Sequence, residues 1–435
     1  MWPWPGSTRC PTPERSALAD ASYGKAGRPR WWVAGLSSFL ALVLGATLWL
    51  VLRDDPYVAP APAPPAQRIQ QVPAAALLQD LTRAVQEGDE EAAAELAAAG
   101  DADAAEQLQT LVANAEEIGL REVSLRYVDE LGGIDADGEW PATVTLTWRF
   151  GSVDTGLATT EVRVDFVAAD GSVAIAGLGG RSVDTAAATP IWFAHPVQVR
   201  RTAETLVVAT RRVEEYSLLA RRAVRVVRRV LPEWPGGLVV EVPGSAAALD
   251  AALGVQPGTF SNVAGVTTTI DGTGSSSVPV HVFLNPARIA ELRPAGAQVV
   301  VSHEAAHVAL DATSTVLPAW LSEGFADYIA LRDVSLPLTT TAAQLIRQVR
   351  REGPPGTLPA SEDFDEESEY FGATYEASWF ACRLLAERVG EEALLRFYRA
   401  ADGSDDFAGL FRRTFGVSEQ RFTQQWSSAL SDLAG

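Results

Sequence analysis

Two histidines four residues apart, in the run His303-Glu304-Ala305-Ala306-His307, constrain this chain more than any other feature. Only a helix stacks side chains at that spacing one above the other on a single face. Val299, Val300 and Val301 lead into the run and Val308, Ala309 and Leu310 follow it, as in a helix that crosses a core. Sixteen residues beyond His307 stands Glu323, in Trp320-Leu321-Ser322-Glu323-Gly324-Phe325-Ala326-Asp327-Tyr328. That segment opens after Pro318, a favoured residue at a helix start. Two imidazoles and one carboxylate form a ligand set that holds catalytic Zn2+ and leaves a fourth position to water. Glu304, next to the first histidine, is placed to take a proton from that water as general base. The bland alternative, two satisfied histidines on a structural helix, has to account for the motif and the downstream glutamate as separate accidents.

The segments HEAAH and LPAWLSEGFADY together resemble the signature of the gluzincin (HExxH…E) zinc metallopeptidases, in their peptidase MA-like and aminopeptidase-like branches. The match is dense from Val299 to Tyr328 and looser toward the C-terminus. The resemblance implies a thermolysin-like metallopeptidase domain with His303, His307 and Glu323 as zinc ligands and Glu304 as the base. It also implies that Asp327 orients a ligand histidine, since ligating imidazoles usually donate their other N–H to a carboxylate or carbonyl. A solvated helix charge is the other reading of Asp327. Two departures bear on specificity. The spacer between His307 and Glu323 is shorter than in the best-known aminopeptidases, so the connection from Asp311 to Leu317 must be tight. No G-x-M-E-N run, which captures a free amino terminus in those enzymes, precedes the motif. An endopeptidase is therefore expected over an exopeptidase.

Stabilising the oxyanion calls for a donor beside the metal. Tyr375, at the head of a late helical segment, resembles the tyrosine of that clan, with Tyr370 as fallback. His281 lies in the alternating run Val278 to Leu284. The resemblance implies that this strand is the sheet edge along which substrate backbone pairs; an ordinary strand histidine is the competing reading.

Upstream, Trp31 to Leu52 is a run of 22 residues without a charge, about 33 Å as a helix, which covers a bilayer core. Tryptophans near both ends suit the interface. The run is longer than the apolar part of a signal peptide, and no small-residue cleavage site follows it. Five basic residues precede it and Arg53-Asp54-Asp55 follows, so residues 1–30 are expected to form a cytoplasmic basic tail and the remainder to lie outside. A Pro- and Ala-rich linker over 53–73 reads as a semi-rigid spacer. The expected location is the cell membrane, with a single span. Cys10 and Cys382 would then face opposite sides of it and form no intramolecular disulfide. The formal charge of −20 argues against a nucleic-acid partner.

Beyond the linker an α+β organisation is expected. Over 74–205, helical periodicity at Leu77, Leu78, Leu81 and Val85 and again from Leu108 to Ile118 gives way to alternating strands. These strands are Val123–Val128, Ala142–Phe150, Thr160–Val167 and Ile191–Val199 around His195. Helices followed by a curved antiparallel sheet resemble the cone-shaped NTF2-like fold, which by itself fixes no function. Residues 206–435 are expected to form the gluzincin domain: a helix marked by Leu218, Leu219, Val224, Val226, Val227 and Val230, strands over Leu238–Val242, Val263–Ile270 and Val280–Leu284, then the two motif helices and a helical tail. The acidic stretch Glu362–Glu369 reads as a solvated loop near the cleft rim. The expected function is a membrane-anchored, zinc-dependent peptidase that hydrolyses peptide or protein substrates outside the cytoplasm. Two other classes stay open: a catalytically silent metallopeptidase fold used as a binding module, and ligand sensing by the NTF2-like domain.

Overall fold

The computed structural model describes residues 70–435 apart from 152, 170–171, 181–187 and 366–367. The apolar run 31–52, its basic flank and the linker as far as residue 69 lie outside the described residues. Among the described residues no helix is long and apolar enough to cross a membrane.

The first part is a helical layer on a four-stranded sheet. Helices α1 (Gln71–Glu87), α2 (Glu90–Ala94) and α3 (Ala102–Ile118) precede strands β1 (Leu120–Glu130), β2 (Glu139–Phe150), β3 (Ala158–Ala169) and β4 (Ser172–Leu178). The strands pair in chain order, each antiparallel to the next. α1 buries Ala74, Leu78, Leu81 and Val85, the spacing that lines one helix face. It stops at Gly88, whose φ of 73° closes the last turn. β2 buries Trp140, Ala142, Val144, Leu146, Trp148 and Phe150, every second residue, so one face of the meander lies against the helices.

Ile191 to Val199 is not one strand. Ile191–Ala194 forms a short helix, α4, and strand β5 begins only at Gln198. The reason is tertiary: Ile191, Trp192, Phe193 and Ala194 are all buried, so no period marks them. Asn114 of α3 holds the turn, its amide donating to the carbonyls of Trp192 and His195 and its carbonyl accepting from the Val197 N–H. Such side-chain bonds replace a strand ladder.

The second sheet has the order β5-β6-β7-β9-β8. β5 (Gln198–Arg201), β6 (Thr205–Ala209), helix α5 (Val213–Val227), β7 (Leu238–Val242), helix α6 (Ala246–Ala252), β8 (Gly265–Thr269) and β9 (Val280–Leu284) follow in sequence. β6, β7 and β9 run parallel, and β5 and β8 are antiparallel edges. Both faces of the central strands are buried, which explains why TLVVA and LVVEV are mostly apolar without alternation, Glu241 being the charged exception. Leu206, Val208 and Val239 enter the core shared with the first sheet, whereas Val207, Ala209, Leu238, Val240 and Val242 enter the core of the helical half. The 205/206 position thus falls inside β6, a strand that serves both cores. On α5, Leu219, Val224 and Val227 are buried while Leu218 is exposed.

The remainder is helical: α7 (Pro286–Glu291), α8 (Pro294–Ala309), α9 (Ala319–Leu331), α10 (Leu338–Thr341), α11 (Ala343–Glu352), a 3-10 turn at Ser361–Phe364, α12 (Phe371–Val389), α13 (Glu391–Ala401), α14 (Phe407–Phe415) and α15 (Glu419–Ala434). The acidic stretch is therefore partly structured, its first residues forming the 3-10 turn. α8 and α9 are joined by a short turn containing Asp311 at φ 51°, a left-handed geometry that costs little for aspartate.

Candidate metal centre

α8 is buried on most of its circumference, and its middle carries Ser302, His303, Glu304 and His307, all with little exposure. Polar side chains in such a place need partners. His303 and His307 turn their Nε2 atoms toward each other at 2.9 Å, and Glu323 Oε2, from α9, lies 3.2 Å from each. Among the described residues this is the one cluster of His, Cys, Asp or Glu side chains with ligand atoms grouped tightly enough for a metal ion.

The donor set fits zinc. Ligands at roughly 2.0–2.2 Å in tetrahedral array are separated by about 3.4 Å, close to the spacings found here. His303 Nδ1 lies 2.8 Å from Asp327 Oδ1, one helical turn beyond Glu323, so the carboxylate fixes the ring and leaves Nε2 for a metal. His307 differs: its buried Nδ1 has no hydrogen-bond partner among the described residues. Burial works against a charged His303, but Asp327 and Glu323 outweigh it and hold its pKa well above the ordinary value. Glu323 is buried too, yet the two imidazoles keep its carboxyl well below the usual carboxylate range. Metal and proton therefore compete for the same nitrogens.

Glu304 faces the edge strand. Its Oε2 accepts a hydrogen bond from Thr267 Oγ1 at 2.7 Å, and the same hydroxyl lies 3.1 Å from the Glu304 carbonyl. Gly265, two residues earlier on the same face of β8, lies directly against the carboxylate: a Cβ there would come within 2.9 Å of Cγ and 3.0 Å of Oε1. Neither residue carries a motif. A glycine inside a strand, a mark of close approach, was the available signal.

Tyr375 sits in the second turn of α12 with its ring centroid 6.0 Å from that of His303, packed edge-on by Phe364 and Phe371. α12 reaches this position because Gly324 of α9 lets it come close: a Cβ at 324 would collide with the Ser378 carbonyl and lie 3.0 Å from Cys382 Sγ. Cys382 is a buried free thiol, its pKa pushed up by burial. Tyr370 points elsewhere, its hydroxyl donating to Glu352 at the end of α11.

His281 does not reach the centre, and its strand is not the sheet edge. β9 lies between β7 and β8, so β8 is the edge beside Glu304. The order of strands, invisible in local sequence, decides this. His281 is fully buried between Glu241 of β7, 2.7 Å from Nδ1, and Asp154 of the β2–β3 connection, 3.1 Å from Nε2. Burial opposes its charge, but the two carboxylates prevail and raise its pKa to about 9.

No protein-family model matches the chain, and no curated protein matches it in sequence. Among solved structures, two of an M1 zinc metallopeptidase from Deinococcus radiodurans are similar. One, a mutant bound to a Tyr-Ser-Ala substrate, has a TM-score of 0.34 at 14% identity, and the other 0.33 at 17%. Each comparison covers 67% of this chain and 61% of the other, so this chain spans about three fifths of the length of its neighbours.

Proposed function

We propose that the chain is a zinc-dependent peptidase of the gluzincin type, anchored in the cell membrane by residues 31–52 with residues 74–435 outside the cytoplasm. The observation that carries this reading is the group of three donor atoms 2.9–3.2 Å apart on α8 and α9, with Glu304 following the first of them in sequence. His303, His307 and Glu323 hold the metal, which supplies Lewis acidity toward a carbonyl oxygen and toward water when bound. Glu304 takes a proton from the attacking water and delivers it to the nitrogen of the departing amine. Water adds to the carbonyl carbon, the C–N bond breaks, and a carboxylate and an amine leave. Asp327 fixes His303 through Nδ1. Tyr375 donates to the developing oxyanion. The free edge of β8 is the place for substrate backbone to add as a further strand, an arrangement that suits an endopeptidase because it needs no free amino terminus. The helix-on-sheet part resembles an NTF2-like domain and packs against the catalytic half through the shared sheet.

The test is metal content and peptide cleavage by the full-length protein in detergent, wild type beside Glu304→Gln. One zinc per chain in both with cleavage only by wild type supports the reading. Zinc in both with cleavage by neither points to a binding module, and no zinc in either removes the basis of the proposal.

A further inference from the structure

Glu304 is not left to find its own orientation. Gly265 and Thr267 stand two residues apart on β8, so both face the same side. Their partners in the antiparallel ladder are Leu284 and Val282, whose side chains enter the core of the helical half. The space left by the absent side chain at 265 receives the Glu304 carboxyl group, and the Thr267 hydroxyl, 2.7 Å away, donates to Oε2. The Glu304 carbonyl, 3.1 Å from the same hydroxyl, is the longer, alternative acceptor for its single proton. Glu304 is buried, so a carboxylate with no hydrogen bond there would be costly, and a hydroxyl-to-carboxylate bond is among the stronger hydrogen bonds in proteins.

We propose that Gly265 and Thr267 form a seat that holds the Glu304 carboxylate in its proton-transfer orientation, Thr267 being a positioning residue that acts through Glu304. The inference rests on the peptidase reading for its catalytic consequence but not for the seat itself. In the seated orientation one carboxylate oxygen is held by the strand and the other is left to handle the proton. Entry of a substrate strand along β8 then meets a base already in place, with no reorientation at the moment of reaction.

The test compares Thr267→Val, Thr267→Ser, Gly265→Ala and Glu304→Ala, with the double variants Thr267→Val/Glu304→Ala and Gly265→Ala/Glu304→Ala, in the full-length protein. The first readout is thermal unfolding after zinc is stripped with a chelator, a double-mutant cycle that isolates the pairwise contact. Thr267→Val and Gly265→Ala lower Tm when Glu304 is present and have little further effect once it is alanine. Additive Tm shifts overturn the seat. The second readout is peptide hydrolysis by the zinc-loaded protein. Thr267→Val lowers kcat roughly ten-fold or more with KM unchanged, the loss of one charged hydrogen bond at a general base, and Thr267→Ser restores most of it. Full kcat in Thr267→Val overturns the positioning role. A wild type that binds zinc but cleaves nothing overturns the peptidase reading instead, and the unfolding cycle then decides the seat alone.

Discussion

Asp154, from the connection between β2 and β3, reaches into the second sheet and lies 3.1 Å from His281 Nε2, with both side chains almost fully buried. Glu241 holds the other ring nitrogen at 2.7 Å. An imidazolium between two carboxylates thus fastens the helix-on-sheet half to the sheet that carries the edge strand of the metal centre. Phe150 packs over the ring at 4.8 Å between centroids, and its N–H donates to Asp154.

Stability is expected to fall in alkaline solution. The folded-state pKa of His281 is raised from 6.5 to about 9, so its charge stabilises the fold fully below about pH 6.5 and the contribution disappears as pH rises through 9. Linkage over that interval amounts to about 3 kcal/mol at most. Tm measured from pH 6 to 10 should decline between about pH 6.5 and 9 and level off above that. His281→Gln, which keeps hydrogen-bonding capacity but does not titrate, should be less stable at pH 7 and show a flatter alkaline slope.

Removing the imidazole outright should be far worse. His281→Ala leaves Asp154 and Glu241 as uncompensated buried carboxylates, a change that typically costs about 3–5 kcal/mol. The midpoint of urea unfolding at pH 7 should shift accordingly. An unchanged midpoint would show that the triplet contributes nothing to holding the halves together.

Asp327→Asn should weaken metal binding. The carboxylate that fixes His303 through Nδ1 at 2.8 Å is replaced by a weaker acceptor of nearly the same shape. Such changes behind a ligand typically reduce affinity by roughly 10–100-fold. Competition with a chromogenic chelator measures this directly, and wild-type affinity in the variant would reduce Asp327 to an ordinary helix charge.

Tyr375→Phe should lower kcat by about a hundred-fold, as loss of an oxyanion donor does, without loss of zinc. Tyr370→Phe should leave kcat within about two-fold, because a tyrosine whose hydroxyl is engaged with Glu352 contributes no donor to the reaction. Equal effects of the two substitutions on peptide hydrolysis would contradict the assignment of the donor.

Gly324→Ala probes the close approach of α9 and α12. The added methyl meets the Ser378 carbonyl, a backbone atom that cannot rotate away. Overpacking of this kind costs about 1–3 kcal/mol and moves α12, with Tyr375, outward. Reduced stability together with reduced kcat at full zinc occupancy is the expected pattern.

What the sequence alone determined here is local. The spacing of His303 and His307 specifies one helix face because a helix repeats within a turn, and Glu323 and Asp327 share the next helix for the same reason. The alternation in β2 and the mostly apolar runs of β6 and β7 are likewise written in consecutive residues. Tertiary structure decided which strand is an edge. His281 sits on an alternating strand that reads as a candidate for the cleft, yet the order β5-β6-β7-β9-β8 buries it and puts β8 outside. Strand order is set by packing between segments far apart in the chain, and no short window of residues contains it. The same holds for the two contacts with most consequence. Asp154 meets His281 across 127 positions and Thr267 meets Glu304 across 37, pairings that arise only when the sheet, the loop and the helix carrying Glu304 close on one another.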